Sequence, residues 1–410
     1  MAGRRRIEIS NEFTESILAG LAYWQEATRE IDDQAITALD RERQNLYRAV
    51  QHGLALPQAW DITAEIVLSA IPLIIRQLYR QEWIPVMEQL VRHSPTGRQE
   101  TNFDLLIQLG RLQRLQQNRG SAMKTLQEAE AVAGQLEDGQ ALARAYYNIG
   151  RLHLDARHYP AAEEASQGAL EILDTLDGVD QSLVAWILNT LAKVAQVKGE
   201  FDLAYEYYSR STAIWRALSD QTGVARALID LATNFRYSGQ PDKAIMHYQE
   251  AERLLSPTAN ELDKTKVGIN LGSTYADIKE YALAEETFRK AYTPYLRQSG
   301  DLEHQAILTM NLGNVLLYSG RLAEAEAFER QAIELWGQLD DDLNTAAATG
   351  SLGEILAAKE QDAAAISHFD QANALLKKYP SHPRALRLIK FNETEKQKAL
   401  DRLNSRRPGQ

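Results

Sequence analysis

The sequence contains no cysteine in its 410 residues. Disulfide bonds, thiolate metal sites and cysteine nucleophiles are therefore excluded, although this absence does not fix the compartment. Val and Phe are scarce, whereas Ala, Leu, Glu, Gln and Arg dominate, and this balance favours helix over sheet. With 25% charged and 44% hydrophobic residues, the composition is typical of a globular protein rather than a disordered one.

Long hydrophobic runs are also missing. The longest apolar stretch, Ile66 to Ile75, is interrupted by Ser69 and Pro72 and is about half of the ~20 residues that a membrane-spanning helix needs. The basic residues Arg4 to Arg6 are followed by a segment without an apolar core, so they do not begin a signal peptide. We therefore expect a soluble, cytoplasmic protein without a membrane partner.

Excess positive charge and catalytic motifs are absent as well. The net charge of -11 has the wrong sign for a general nucleic-acid surface. The sequence has no H-E-x-x-H, G-x-S-x-G or C-x-x-C motif, and no G-x-x-x-x-G-K-[S/T] loop to hold a triphosphate. His153 and His158 form the closest histidine pair, but a zinc site would need two further ligands. The sequence therefore predicts no catalytic residue, no metal and no cofactor, and a protein that is not an enzyme.

What the sequence does contain is a repeat with a period near 40 residues. A small residue preceded by Leu or Ile recurs at Gly110, Gly150, Ala192, Ala232, Gly272, Gly313 and Gly353. An alanine follows twelve residues later each time, at Ala122, Ala162, Ala204, Ala244, Ala284, Ala325 and Ala365. A further small residue follows seven positions on, at Ala129, Ala169, Ser211, Ala251, Ala291, Ala332 and Ala372. Three columns kept over seven copies indicate one structural unit repeated seven times.

The columns indicate two closely packed antiparallel helices in each repeat. Small residues let the two backbones approach, which explains glycine inside a helix despite its cost of about 0.5–1 kcal/mol against alanine. Short polar breaks with a glycine, at Gly199, Gly239 and Gly320, suit the turn between the helices. One column of the second helix is aromatic, with Tyr208, Tyr248, Phe288 and Phe369. Trp186, Trp215 and Trp336 are interpreted as core residues.

This pattern resembles the tetratricopeptide repeat family over roughly Thr101 to Tyr379. The resemblance implies an all-α fold: a right-handed superhelical solenoid of about seven helix-turn-helix repeats, with an N-terminal helical region and a C-terminal capping helix. The period is longer than the 34 residues typical of the family, and the usual proline after the second helix is missing. We interpret the difference as an extra turn on each second helix. Pro294 is expected to kink one of these helices.

The N-terminal part carries a second resemblance. The segment Asp40 to Val50, with Asp40, Glu42, Asn45, Leu46 and Ala49 in place, is similar to a "D-x-E-x-x-N-L-x-x-A" segment of bacterial signal-transduction ATPases of the STAND/NB-ARC type. In those proteins the segment joins the ATPase part to a repeat sensor, and Leu78–Ile84 resembles a later piece of the same junction. An ordinary amphipathic helix with Leu46 and Val50 in the core is the alternative. The chain is thus interpreted as the sensor part of such a protein or as a stand-alone relative.

We predict three regions. Residues 1–95 form an N-terminal helical region with atypical helix pairs, 96–380 form the solenoid, and 381–410 form a capping helix with a frayed tail. The capping helix is expected to cover the last apolar face with Leu386, Ile389, Phe391 and Leu400.

In the tetratricopeptide family, the first helix of each repeat lines a concave groove, and this resemblance places the partner site. Counted from the small residue of each first helix, the groove positions hold eight bases, namely Arg111, Arg114, Arg144, Arg151, Lys193, Arg226, Arg236 and Lys266. They hold five acids, namely Asp104, Asp155, Asp230, Asp277 and Glu354. The groove is therefore predicted to be basic in a chain that is acidic as a whole.

Amides form one further column, two residues before the small residue. It contains Gln108, Asn148, Asn270 and Asn311. Asparagine is a mediocre helix former, so we interpret the column as hydrogen bonding either to an extended peptide backbone or between adjacent helices. Asn189, Asn314, Tyr147, Tyr237 and Tyr318 complete the predicted groove. Lys266 and Asn270 are only a fragment of the lysine–asparagine clamp found in co-chaperones.

The leading hypothesis is a non-enzymatic protein- or peptide-binding module, serving as sensor or scaffold in a bacterial signalling system. Its partner is expected to be a protein or peptide, net acidic and extended, and not nucleic acid; homo-oligomerisation stays open. The alternative is a peptide-pheromone receptor with a helical bundle before the repeats, although residues 12–95 do not resemble that family.

Overall fold

The computed structural model describes residues 11–31, 33–76, 79–258, 260–293, 296–297 and 300–405. Over these residues the chain forms 21 α-helices and no strand. The predicted all-α fold is confirmed. Pro294, which was expected to kink a helix, lies outside these residues.

Six helices make up the N-terminal part. They are α1 (Asn11–Ala27), α2 (Asp33–Arg41), α3 (Arg43–Leu54), α4 (Trp60–Ser69), α5 (Ile71–Arg76) and α6 (Arg80–Arg92), with a short 3₁₀ turn at Pro57–Ala59. Leu46 and Val50 are fully buried in their common core. The indole of Trp60 donates a hydrogen bond of 3.0 Å to the carbonyl oxygen of Leu90, which ties α4 to α6.

The two segments that resemble the ATPase–sensor junction pack against each other. The Tyr79 hydroxyl donates a hydrogen bond of 2.6 Å to the Asp40 carboxylate, and the Arg43 guanidinium lies 4.2 Å from the centre of the Tyr79 ring. Tyr47 and Trp83 make an edge-to-face contact at 5.6 Å. Polar and aromatic side chains of the two segments are therefore in direct contact. Leu46 is buried in the core, as the alternative interpretation of an ordinary amphipathic helix required.

Fourteen helices follow as seven antiparallel pairs, as predicted. The first helices of the pairs are α7 (Gln99–Leu115), α9 (Gly139–Asp155), α11 (Gln181–Lys198), α13 (Gln221–Tyr237), α15 (Glu261–Asp277), α17 (Leu302–Tyr318) and α19 (Asp342–Ala358). The second helices are α8 (Arg119–Leu136), α10 (Tyr159–Asp174), α12 (Phe201–Ala217), α14 (Pro241–Leu255), α16 (Tyr281–Ala291), α18 (Leu322–Gln338) and α20 (Asp362–Leu376).

Glycine in the first helix is explained by the side chain that lies on it. A Cβ on Gly272 would be 2.6 Å from the ring of Phe288, and one on Gly353 would be 2.9 Å from the ring of Phe369. Both rings are buried. Because the aromatic ring of the second helix rests directly on the glycine backbone, each pair closes without a gap.

The ends of the helices follow the expected local chemistry. Gly199, Gly239 and Gly320 adopt positive φ angles of 83°, 77° and 76° at the turns where glycine was predicted. Asp138 caps α9, because its carboxylate accepts a hydrogen bond of 3.1 Å from the backbone N–H of Ala141. Asp180, Asp301 and Asp341 accept equivalent bonds at the starts of α11, α17 and α19.

The chain divides into two compact units. Unit 1 comprises Met1–Asn234 with Pro257–Asn260, and unit 2 comprises Phe235–Ser256 with Glu261–Gln410. In unit 1 the first helices α7, α9 and α11 touch one another in sequence, and α8 and α10 pack between successive first helices. In unit 2, α15, α17 and α19 have the same arrangement, with α16 and α18 as their second helices.

A last helix, α21 (Pro383–Ser405), packs on α20 and α19. The predicted contact face is wrong in part, because Leu386 and Phe391 are largely exposed. The buried residues are instead Ala385, Asn392 and Ala399, one every seven residues. Small residues allow close approach to α20, and the Asn392 amide donates a hydrogen bond of 2.9 Å to the side chain of Asn373. The helix is thus docked by close packing and buried polar contacts.

Candidate partner-binding site

All predicted site residues lie on first helices. Arg144, Asn148 and Arg151 are on α9, Asn189 and Lys193 on α11, Arg226, Arg236 and Tyr237 on α13, Lys266 and Asn270 on α15, and Asn311, Asn314 and Tyr318 on α17. Residues up to Asn234 belong to unit 1 and those from Phe235 belong to unit 2. We call these surfaces the first-helix face of unit 1 and the first-helix face of unit 2.

Half of the predicted bases form ion pairs with a predicted acid on the neighbouring first helix. Arg114 pairs with Asp155, and Arg236 pairs with Asp277 at 2.6 Å, which places these two pairs at equivalent positions of different repeats. The other two pairs are Arg144–Asp104 at 2.8 Å and Lys193–Asp230 at 3.0 Å. These bases therefore join successive repeats before any partner is present. The paired residues are 37 to 41 positions apart in the sequence, so a count of charges does not reveal that they are paired.

Arginines are concentrated on the first-helix face of unit 1. Burial and then the positive charges of Arg114, Arg226 and Arg151 lower the pKa of Arg111, while Tyr147 opposes this effect. Burial and the charge of Arg151 likewise lower the pKa of Arg114. A lowered arginine pKa means that like charges face one another in a place from which water is largely removed.

The predicted groove amides behave differently in the two units. In unit 1, the Asn148 amide donates a hydrogen bond of 2.8 Å to the carbonyl oxygen of Arg144 in its own helix. The Asn189 amide, which lies one residue before the column position, donates one of 2.8 Å to Asp230 and so connects α11 to α13. Both asparagines are buried. Only the Asn189 contact joins two adjacent helices, whereas Asn148 is bonded within its own helix.

In unit 2 the amides are uncommitted. Asn270, Asn311 and Asn314 are half-buried, and their side chains make no hydrogen bond to any residue that the structure describes. Asn270 and Asn311 occupy the same position of successive first helices. Their donors and acceptors are therefore available to a ligand.

Exposed tyrosines also lie on the first-helix face of unit 2. Tyr237 is 60% exposed and Tyr318 is 58% exposed. The Tyr318 ring stacks on Tyr281 at 5.7 Å with an interplanar angle of 21°. Lys266 is exposed and lies 3.5 Å from Asp263 of its own helix. Exposed tyrosine with nearby amides is a composition typical of protein-binding surfaces.

One functional feature was missed from the sequence. Glu329 of α18 stands at the position that Phe288 and Phe369 occupy in the neighbouring repeats, yet it is fully buried and both of its carboxylate oxygens lack a hydrogen bond. Burial first, and then the charge of Glu354, raise its pKa well above the usual value. The sequence contains the signal, because Glu329 stands 16 residues after Gly313, the spacing at which Phe288 and Phe369 follow their own glycines.

Metal-binding clusters of histidine and acidic side chains do not occur among the residues that the structure describes. Within the same ranges, none of the helices has the length and hydrophobicity needed to cross a membrane.

Comparison with known proteins supports the repeats. The tetratricopeptide repeat family model matches residues 183–256, 266–338 and 304–378. The chain is also 28% identical over 130 residues to an uncharacterised protein, ycf37, of Cyanophora paradoxa, a stretch that covers 32% of this chain and 69% of that protein.

Two solved structures are similar in fold. One is a signal-transduction ATPase with a tetratricopeptide repeat sensor from Pyrococcus horikoshii, at 18% identity and a TM-score of 0.58, covering 86% of this chain and 55% of that chain. The other is a Rap protein in complex with competence and sporulation factor, at 14% identity and a TM-score of 0.56, covering 82% of this chain and 98% of that one. With the family-model match and seven helix pairs that pack small residues against a partner helix, the chain is an all-helical protein that contains tetratricopeptide repeats, matched over residues 183–256 and 266–378.

Proposed function

We propose that the chain is a non-enzymatic binding module whose first-helix faces hold an extended, net-acidic segment of a protein or peptide partner. The observation that carries this proposal is the uncommitted pair Asn270 and Asn311 at one repeat position, with Tyr318 exposed on the same face. Such amides donate to a backbone carbonyl and accept from a backbone N–H, so two of them one repeat apart suit an extended peptide.

The proposed biological role is that of a sensor or scaffold in a bacterial signalling system. The similar fold of a signal-transduction ATPase with a repeat sensor supports this role, and so does the contact between Asp40 and Tyr79 in the N-terminal segments that resemble the junction of such ATPases. The alternative is a peptide-pheromone receptor, which is favoured by the similar fold of a Rap protein in complex with its factor.

A display library of random peptides, selected on the full chain, tests the proposal. We expect enrichment of a peptide motif with acidic residues. Asn270→Ala with Asn311→Ala is expected to weaken binding of the selected peptide at every salt concentration. Each truncated amide leaves backbone groups of the peptide unpaired, at a cost of about 1–3 kcal/mol. Arg226→Ala with Lys266→Ala is expected to weaken it mainly at low salt, because screening shortens the reach of exposed charges to about 8–10 Å.

A matched control is Gln331→Ala with Gln338→Ala, which removes two exposed amides from the second helix α18. This control is expected to leave binding unchanged. The proposal is wrong if no peptide is enriched, or if the control weakens binding as much as the asparagine pair does.

A further inference from the structure

We propose that Arg111, Arg114 and Arg151, with the charge of Arg226 beside them, form a binding site for a carboxylate of a peptide partner. The site lies within unit 1 and rests on the proposed binding function. The carboxylate is that of an acidic side chain of the partner, whose planar two-oxygen shape guanidinium groups bind in pairs.

The repeat brings these arginines together. Arg111 of α7 and Arg151 of α9 each follow the small residue of their first helix directly, and α7 and α9 touch. Arg114 lies one turn beyond Arg111 on the same helix face. Arg226 comes from α13, yet its charge acts on Arg111. Three first helices therefore direct guanidinium groups into one place.

The acids on this face leave Arg111 and Arg151 without an ion pair among the residues that the structure describes. Asp155 is engaged by Arg114, and Asp230 is engaged by Lys193 at 3.0 Å and by the Asn189 amide at 2.8 Å. Asp155 and Asp230 lie near Arg151 and help to raise its pKa, together with Tyr147 and against its burial. The face therefore keeps an excess of positive charge.

Two guanidinium donors are also left without acceptors. The Nε atoms of Arg114 and Arg151 are buried and make no hydrogen bond within the described chain. The Arg114 side chain is only 9% exposed, so water does not replace the missing acceptor freely. Buried donors in folded proteins are nearly always satisfied by protein, water or ligand, so these two Nε atoms are donors to which the carboxylate of a bound peptide could be an acceptor.

Unsatisfied acceptors on the same face favour a peptide over a free inorganic anion. The Oε1 atom of Gln108 and the Oδ1 atom of Asn189 are buried without a donor. Gln108 lies one turn before Arg111 on α7, and Asn189 is bonded to Asp230, which faces Arg151. A peptide offers carboxylate oxygens to the arginines and backbone N–H groups to these amides. A fully deprotonated inorganic anion such as sulfate offers only acceptors, and phosphate near neutral pH has only one or two hydroxyl donors.

The probe is a short fluorescent Gly/Ser peptide that carries two glutamates, compared with the same peptide carrying glutamines. Fluorescence anisotropy at low salt is expected to show binding of the glutamate peptide to the full chain and not of the glutamine peptide. Arg111→Gln with Arg151→Gln is expected to weaken binding at least about tenfold, the effect of losing one charged hydrogen bond. The matched control is Arg48→Gln with Arg210→Gln, two exposed arginines away from the site that carry the same charge loss.

Folding is checked by thermal unfolding. Arg111→Gln alone is expected to melt no lower than the wild type, because burial and the neighbouring arginines lower the pKa of Arg111. The Arg111→Gln, Arg151→Gln variant also loses the attraction of Asp155 and Asp230 for Arg151 and is expected to melt lower. If that variant does not fold, Arg111→Lys is tested instead. It keeps the positive charge but loses the planar guanidinium group, and it is expected to weaken binding of the glutamate peptide as well.

Three results would overturn the inference: equal binding of both peptides, equal weakening by the control, and displacement of the peptide by inorganic phosphate at the peptide's own concentration and constant ionic strength. The last result would assign the site to a free anion. Selected peptides that depend on Asn270 and Asn311 but not on the arginines would reject this site alone. A display selection that enriches nothing would reject the proposed function.

Discussion

The two units fill the same repeat in opposite ways. On the first-helix face of unit 1, asparagines are engaged inside the protein, as Asn189 is with Asp230, and arginines lie close enough together to lower the pKa of Arg111 further than burial alone does. In unit 2, Asn270 and Asn311 are uncommitted, tyrosines are exposed, and carboxyl groups are buried near α17 and α19. Counting eight bases against five acids over seven repeats describes a uniform groove. The structure instead shows two faces of different chemistry.

This difference shows that equivalent positions of a repeat have the same place in the fold but can hold residues of opposite charge. The position after the small residue holds Arg151 in unit 1 and Glu354 in unit 2. Burial, and then the charge of Glu395, raise the pKa of Glu354. The first-helix face of unit 1 thus offers cations, whereas that of unit 2 offers neutral amides, phenols and a carboxyl group whose pKa is raised.

The largest expected effect concerns Glu329, the buried acid of unit 2. Its folded-state pKa lies well above the unfolded value, so the folded protein keeps a proton that the unfolded chain releases. Stability is therefore expected to fall as pH rises above about 4.5, by up to about 1.4 kcal/mol per pH unit, until the folded-state pKa is passed. Glu329→Phe restores the aromatic residue of the neighbouring repeats and is expected to raise stability, with a gain that grows from pH 5 to pH 8.

Urea unfolding of both proteins across this pH range measures the gain. Carboxylates with lowered pKa, such as Glu285 and Glu326, act in the opposite direction, because they stabilise the fold above their unfolded pKa. These carboxylates are present in both the wild type and the Glu329→Phe variant, so their contributions cancel in the difference between the two free energies of unfolding. A difference that does not change with pH would show that Glu329 is not protonated in the fold.

The second prediction damages the packing of unit 2. A Cβ on Gly272 would overlap the Phe288 ring, so Gly272→Leu is expected to destabilise the protein by about 1–3 kcal/mol through overpacking. Gly337→Leu is the control, because Gly337 lies in α18 with open space around it. Since repeats contact mainly their neighbours, hydrogen exchange is expected to increase around α15 and α16 more than around α7 and α9. Equal protection loss in α7 would contradict the separation into units.

The fold was predictable from the sequence because close packing leaves a trace in residue size. Gly272 is needed under Phe288, and a glycine or alanine stands at this position in every pair, so three columns of small residues revealed seven pairs. The docking face of α21 was predicted less well, because hydrophobicity pointed to Leu386 and Phe391 while Ala385 and Ala399 make the close contact.

The candidate site was predictable in position but not in chemistry. All thirteen residues lie on first helices, as the resemblance implied. Whether an amide is free depends on a partner some 40 residues away: Asn189 finds Asp230, whereas Asn270 finds none in the described chain. Likewise Arg236 and Asp277 were counted as separate groove charges and are in fact paired. Such pairings depend on how the helices are placed, which the repeat pattern alone does not specify.

The smallest expected effect compares the two equivalent ion pairs, Arg114–Asp155 in unit 1 and Arg236–Asp277 in unit 2. Arg114 is 9% exposed, whereas Arg236 is 20% exposed and its partner Asp277 is 53% exposed. Double-mutant cycles with alanine are expected to give about 0.2–1 kcal/mol for the unit 2 pair, the range of exposed pairs. The unit 1 pair is expected to give a coupling nearer the top of that range, because Arg114 is less exposed than Arg236 although Asp155 is still 40% exposed. Raising the salt concentration is expected to reduce the coupling of the more exposed unit 2 pair more, because charges that are less exposed are screened less. Equal couplings, or a stronger salt effect in unit 1, would mean that the two faces do not differ in their access to water, and the proposed contrast between them would have to be withdrawn.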